Sequence, residues 1–169
     1  TFENLLPLEG HTVLDIGCGS GRYVLRCLDL GAASVTGIDL SKEMLDLTGQ
    51  AISSVGAPQE KVILIEGDFL EHSFVDRYDY AIVMGVMDYI KEPELFMERL
   101  AVAVARRAVL SFPALESIWA PQRKIRYMRR KCPLYFYSRK RLKQLTAQSG
   151  FSRAAIERIK RDYLVVLDK

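Results

Sequence analysis

The sequence predicts an α/β fold with a doubly wound sheet, and three observations carry that reading. Short β-prone apolar runs at 13–16, 34–38, 62–65, 78–84 and 107–112 alternate with segments of helical periodicity. The first four runs end in a glycine, an acid or both, at Gly17, Asp39, Asp68 and Gly85. A glycine-rich turn joins the first run directly to a helix, as in nucleotide-binding βαβ units. With 169 residues and 49% hydrophobic composition the chain holds one core, so residues 1–169 are expected to form a single domain.

The first run, Val13-Leu14-Asp15-Ile16, carries an acid that a strand buried on both faces would normally avoid, which places Asp15 near the strand's end. Gly17, Cys18, Gly19, Ser20 and Gly21 then form a turn whose glycines permit close backbone approach. The helix that starts near Arg22 aims its first N–H groups at that turn. The spacing is G-x-G-x-G, not the G-x-G-x-x-G of dinucleotide folds, and the acid two residues ahead of it would repel a pyrophosphate. An acid there suits a ligand that carries an amino group and a sulfonium. On these residues the chain resembles the class I S-adenosylmethionine-dependent methyltransferases. The resemblance implies S-adenosylmethionine as cofactor and a seven-stranded sheet of order 3-2-1-4-5-7-6, with strand 7 antiparallel and helices on both faces.

The residues before this strand form a short lead-in through Pro7 and Gly10. Family members usually carry N-terminal helices that close over the cofactor, and here that cover is expected to be missing. The first helix stops at Gly31, and the second strand ends on Asp39, 22 residues after Gly17, where such a unit returns an acid to a ribose. Two carboxylate oxygens can accept both ribose hydroxyl protons. Ser41 is the better cap for a helix over 42–54. The resemblance puts Leu40 and Met44 against the adenine ring. The third run leads into Asp68 and Phe69, to which the resemblance assigns the adenine amino group and a ring nitrogen, the latter through the Phe69 N–H. An Asx turn is the alternative at Asp68.

Residues 70–77 read as a loop or short helix with His72 in it. The fourth run ends at Met84-Gly85-Val86-Met87-Asp88-Tyr89, where the resemblance expects Met84, Gly85, Asp88 and Tyr89 to face the methionine half of the cofactor. Asp88, Tyr89 and His72, in that order, are the candidate bases if the acceptor needs one. Pro93 suits the first turn of a helix running to about residue 105. A fifth strand over 107–112 stops at Pro113, Ser138 can cap a helix ending before Gly150, and 154–159 with 163–167 form a closing hairpin.

Between them, residues 114–137 form an expected substrate-side insertion. It holds Trp119, Tyr127, Tyr135 and Phe136, with six basic residues in 123–131. Charge divides the chain. Residues 1–105 hold 7 Lys/Arg and 17 Asp/Glu, whereas residues 106–169 hold 17 and 4. Such a split suggests that the later part meets something acidic, with a solvated basic face as the alternative. Three cysteines without C-x-x-C spacing argue against a disulfide framework or a zinc site, and Cys18 is expected to act through its backbone. No apolar run reaches the roughly 18 residues of a membrane span and no signal pattern leads the chain, so a cytoplasmic location is expected.

The resulting expectation is an S-adenosylmethionine-dependent methyltransferase acting on a small-molecule acceptor, acidic or aromatic. The alternatives are an RNA-directed methyltransferase, which the basic and aromatic 119–143 stretch would suit, and a non-catalytic cofactor-binding module. Peripheral contact with an anionic membrane through 119–131 is a further option.

Overall fold

The computed structural model describes residues 1–116 and 134–169. The 119–131 stretch and Cys132 therefore lie outside the described residues. Along the chain come β1 (Thr12–Ile16), α1 (Arg22–Asp29), β2 (Ser34–Asp39), α2 (Lys42–Ser54), β3 (Val62–Glu66), β4 (Tyr78–Val83), α3 (Pro93–Ala103), β5 (Val104–Pro113), α4 (Arg139–Ala147), β6 (Arg153–Ile159) and β7 (Asp162–Asp168). The strands form one sheet of order β3-β2-β1-β4-β5-β7-β6, the order expected. β7 runs antiparallel to β5 and β6, and the other pairs are parallel.

β1 is central, hydrogen-bonded to β2 on one side and β4 on the other, and Val13, Leu14, Asp15 and Ile16 are all buried. This accounts for an apolar run without alternation: helices cover both faces. One face packs Leu14, Ile16, Leu110 and Phe112 with Phe96, Leu100 and Leu142 of α3 and α4. The other packs Val13, Val35, Ile82 and Val109 with Val24, Cys27 and Ile52 of α1 and α2. Helix starts follow local chemistry: the Ser41 and Ser138 hydroxyls accept from the N–H groups of Met44 and Arg141, and Pro93 occupies the first turn of α3.

Two boundaries differ from expectation. α3 ends at Ala103, and β5 begins at once with Val104 instead of at 107. Val104 is fully buried, pairs with Tyr78, and its carbonyl accepts from the Arg77 guanidinium, so strand pairing overrides helical periodicity there. β5 also continues through Pro113, which pairs with Asp162 at the strand's end, where a missing N–H does little harm. Between β3 and β4 no helix forms, and residues 67–77 cross as a loop.

At the amino-terminal edge of the sheet Asp79 ties three segments together. Its Oδ2 accepts from the Thr12 N–H at 3.1 Å and lies 3.2 Å from His11 Nδ1, while Oδ1 lies 3.1 Å from Arg106 Nε. Burial alone would raise its carboxyl. The Thr12 N–H, His11 and Arg106 more than offset that, and Asp79 sits below the usual carboxylate range. A depressed folded-state value contributes stability that is present above the unfolded value and lost as pH falls through the folded one. Asp79→Asn should therefore lower stability at pH 7 by about 1 kcal/mol and flatten its decline below about pH 4, as measured by urea denaturation across pH.

Candidate functional site

The carboxyl ends of β1, β2, β3 and β4 meet around a cavity of about 490 Å³. The glycine turn forms one wall, stapled to the end of β2 by the N–H groups of Gly17 and Cys18, which donate to the Ile38 carbonyl at 2.8 and 3.2 Å. Glycine is needed at Gly17, where φ is +69° and a Cβ would lie 2.3 Å from Val86 Cγ2. It is needed again at Gly21, the N-cap of α1 at φ +79°, where a Cβ would lie 2.7 Å from Thr48 Cγ2. Thr48 also donates its hydroxyl to the Gly19 carbonyl at 2.7 Å. It supports the turn from α2, a role the sequence reading missed. The available signal was a polar residue on the buried stripe Leu45, Thr48, Ile52.

Asp39 is held from two sides. Oδ2 accepts from the Gly19 N–H at 2.8 Å and Oδ1 from the Ser41 N–H at 2.9 Å. Both oxygens keep further lone pairs for a ligand hydroxyl, and the two backbone bonds fix their direction before any ligand arrives. Asp68 is oriented similarly, its Oδ1 accepting from the Leu70 N–H at 2.8 Å, so the Asx turn is present as well as the acid in the cavity wall. Leu40, 72% exposed, lines the same cavity with an apolar side chain.

Asp15 lies beneath the turn and is the most constrained group of the site. It is 1% exposed, and among the described residues its Oδ2 has no hydrogen-bond partner. Burial, and secondarily the Asp39 carboxylate, raises its pKa to about 7. A buried acid left short of partners beside a second acid fits a cationic ligand and disfavours a phosphate. Cys18 is pushed up to about 12, by burial first and then by the same two acids, so its thiol stays neutral and the residue contributes its backbone.

The structure brings Gly17, Asp39, Leu40, Asp68, Phe69, Gly85 and Tyr89 to one cavity. Asp15, Cys18, Gly19 and Gly21 form the strand end and turn behind its wall. Met44 stands on the first turn of α2, outside the lining, and Met84 packs toward the α1 face, with its sulfur accepting from the Thr1 hydroxyl at 4.0 Å. Of the three candidate bases, Tyr89 alone lines this cavity. Asp88 is 3% exposed, with its carbonyl accepting from the Tyr135 N–H at 2.8 Å, and His72 lines a separate cavity against Phe74. The sequence reading missed Val86, Ile90, Lys91, Glu92 and Phe96 as wall residues. Phe96 carried no distinguishing signal, because its position on α3 is equally a core position. Among the described residues no group of three or more His, Cys, Asp or Glu could hold a metal ion, and no helix is long and apolar enough to cross a membrane.

Because the raised value belongs to an acid, the folded chain holds more protons than the unfolded one between the ordinary carboxylate range and about pH 7. Stability is lost across that window as pH rises. Asp15→Asn should stabilise the ligand-free protein by about 1–3 kcal/mol at pH 8 and by little near pH 4, read by thermal unfolding at both pH values.

The family described as "Methyltransferase domain" matches residues 13–124. The tRNA U34 carboxymethyltransferase of Shewanella putrefaciens is 29% identical over 136 residues, covering 69% of this chain and 41% of that protein. The probable (S)-tetrahydroprotoberberine N-methyltransferase 2 of Papaver bracteatum is 33% identical over 103 residues, covering 60% of this chain and 28% of that protein. The chain thus spans about two-fifths or less of the length of these curated relatives. Among solved structures, the magnesium protoporphyrin IX methyltransferase of Synechocystis with bound SAH superimposes with a TM-score of 0.78 at 22% identity, covering 96% of this chain and 75% of that one. An S-adenosylmethionine-dependent methyltransferase of Mesorhizobium loti does so with a TM-score of 0.80 at 18% identity, covering 99% and 95%.

Proposed function

Since the chain belongs to the methyltransferase-domain family, we propose that it transfers the methyl group of S-adenosylmethionine to a small-molecule acceptor. The observation that carries this reading is the convergence of Gly17, Asp39, Leu40 and Asp68 on one cavity, with a buried acid behind its wall whose Oδ2 no described residue bonds. Asp39, with both oxygens already aimed by backbone N–H groups, would hold the ribose hydroxyls. Leu40 would cover one face of the adenine, while Asp68 and the Phe69 N–H would meet its edge. Asp15 would meet the positive charge of the methionine half. At an effective dielectric of about 20, a cation some 6 Å away is worth roughly 3 kcal/mol to a carboxylate, comparable to what burial costs it.

When bound, the cofactor supplies a methyl group already activated on a sulfonium. The chain's own residues therefore need chiefly to orient the partners and exclude water, and effective molarity alone can contribute about 7–11 kcal/mol. Of the three candidate bases Tyr89, on the loop after β4, is the one in the cavity wall, and as phenolate it would accept a proton from an acceptor hydroxyl or amine. The segment returning to α4 is fastened to the loop after β4. Tyr135 donates its N–H to the Asp88 carbonyl at 2.8 Å, and the Tyr137 hydroxyl donates to the Met87 carbonyl at 3.2 Å.

A second reading, transfer to RNA, is favoured by the similarity to tRNA U34 carboxymethyltransferases and by the excess of basic residues after residue 105. Gly85-Val86-Met87-Asp88 lacks the N/D-P-P-Y-type motif that RNA-base methyltransferases often carry after the fourth strand.

Calorimetry should give S-adenosylmethionine binding and none comparable for NAD. Asp39→Ala should weaken it by about 1.5–3 kcal/mol, and unchanged affinity in a folded Asp39→Ala variant would remove the ribose assignment. With methyl-labelled cofactor, label should pass to a metabolite fraction and not to total tRNA. Label in tRNA, lost as salt is raised, would replace the small-molecule reading with the second one.

A further inference from the structure

We propose that the exposed face of α3 is a two-fold interface, on which a second copy of this chain packs its own α3 antiparallel. The proposal concerns assembly and does not rest on the methyl-transfer reading. α3 buries Phe96, Met97, Leu100, Ala101 and Ala103 and leaves Leu95, Glu98, Arg99 and Val102 exposed. These four stand at positions i, i+3, i+4 and i+7, a single stripe about 10 Å long. Leu95 is 40% and Val102 74% exposed, an apolar residue at each end of a stripe whose centre is one acid and one base.

The stripe is self-complementary. A two-fold axis passing between residues 98 and 99 sets Leu95 against the partner's Val102 and Glu98 against the partner's Arg99, and each contact then occurs twice. Within one chain Glu98 and Arg99 cannot satisfy each other, because adjacent helical residues do not face one another. Neither makes an ion pair among the described residues. A parallel arrangement, or a partner without this order of charges, would set like beside like or leave both charges unmatched.

Among the described residues no helix covers this face. The β3-to-β4 connection, which in a doubly wound sheet usually carries a helix, is here the loop 67–77. A cavity of about 500 Å³ lies between that loop and α3, lined by all four stripe residues and, from the loop, by Phe74, Val75, Asp76 and Arg77 among others. Val75, 99% exposed, extends the apolar patch beyond the stripe. Phe69 lines this cavity and the one at the glycine turn, so the interface would stand directly behind the candidate site.

Sedimentation velocity over roughly a hundredfold range of concentration tests the proposal, with circular dichroism and thermal unfolding verifying that each variant is folded. The unaltered chain should dimerise as concentration rises. Glu98→Arg and Arg99→Glu should each weaken association about tenfold or more, because each sets like charges together twice. The double variant Glu98→Arg/Arg99→Glu should dimerise again, and an equimolar mixture of the two single variants should form a heterodimer. A chain that stays monomeric throughout, or single variants that dimerise as the unaltered chain does, would overturn the proposal. So would failure of both the double variant and the mixture to recover.

Discussion

The structure turns on a carboxyl group held where a carboxyl group is costly. Asp15 sits at the end of the central strand, covered on both faces, with one oxygen lacking a partner and the Asp39 carboxylate nearby. A typical buried polar group finds a partner, and one that does not is normally lost from a fold unless something outside the chain compensates it. Around it the chain is rigidly built. The turn is stapled to β2, supported by Thr48, and holds Asp39 through the Gly19 N–H. The costly carboxyl thus lies at one end of the sheet, and the cavity opens there.

Sheet order explains why these groups meet at all. β2, β1 and β4 are neighbours in space though not consecutive in sequence, so Asp39, Gly17 and Gly85 come from three segments and arrive at one rim. The opposite rim is occupied by Asp79 with Thr12, His11 and Arg106, a fully partnered acid whose pKa is depressed where that of Asp15 is raised. Two aspartates at opposite ends of the central strands therefore do opposite things. One fastens the sheet; the other is left with an unpartnered oxygen among the described residues.

Much of this was legible in the sequence because it is written in backbone chemistry. Glycine spacing, an acid at a fixed distance along a βαβ unit, serine caps and a proline in the first helical turn each depend on local rules, and the family's strand order followed from the motif they form. What was not legible depends on how loops settle against the core. Asp88 and Tyr89 are adjacent, yet only Tyr89 lines the cavity, while the Asp88 carbonyl is engaged by Tyr135 from 47 residues further on. His72 was placed by a loop that packs it on Phe74, in a cavity of its own. The absence of a helix between β3 and β4 was equally open, since residues 70–77 satisfy a loop and a short helix alike.

The central claim, that a cationic ligand compensates the buried Asp15 carboxyl, is tested most directly by titrating that carboxyl itself. Carbon-detected NMR of aspartate-labelled protein, with Asp15 assigned by its loss in Asp15→Asn, would follow its ionisation with and without saturating S-adenosylmethionine. The account predicts a pKa near 7 in the ligand-free chain and a fall toward the ordinary carboxylate range once the cofactor is bound. A pKa that stays near 7 with the cofactor demonstrably bound would contradict it.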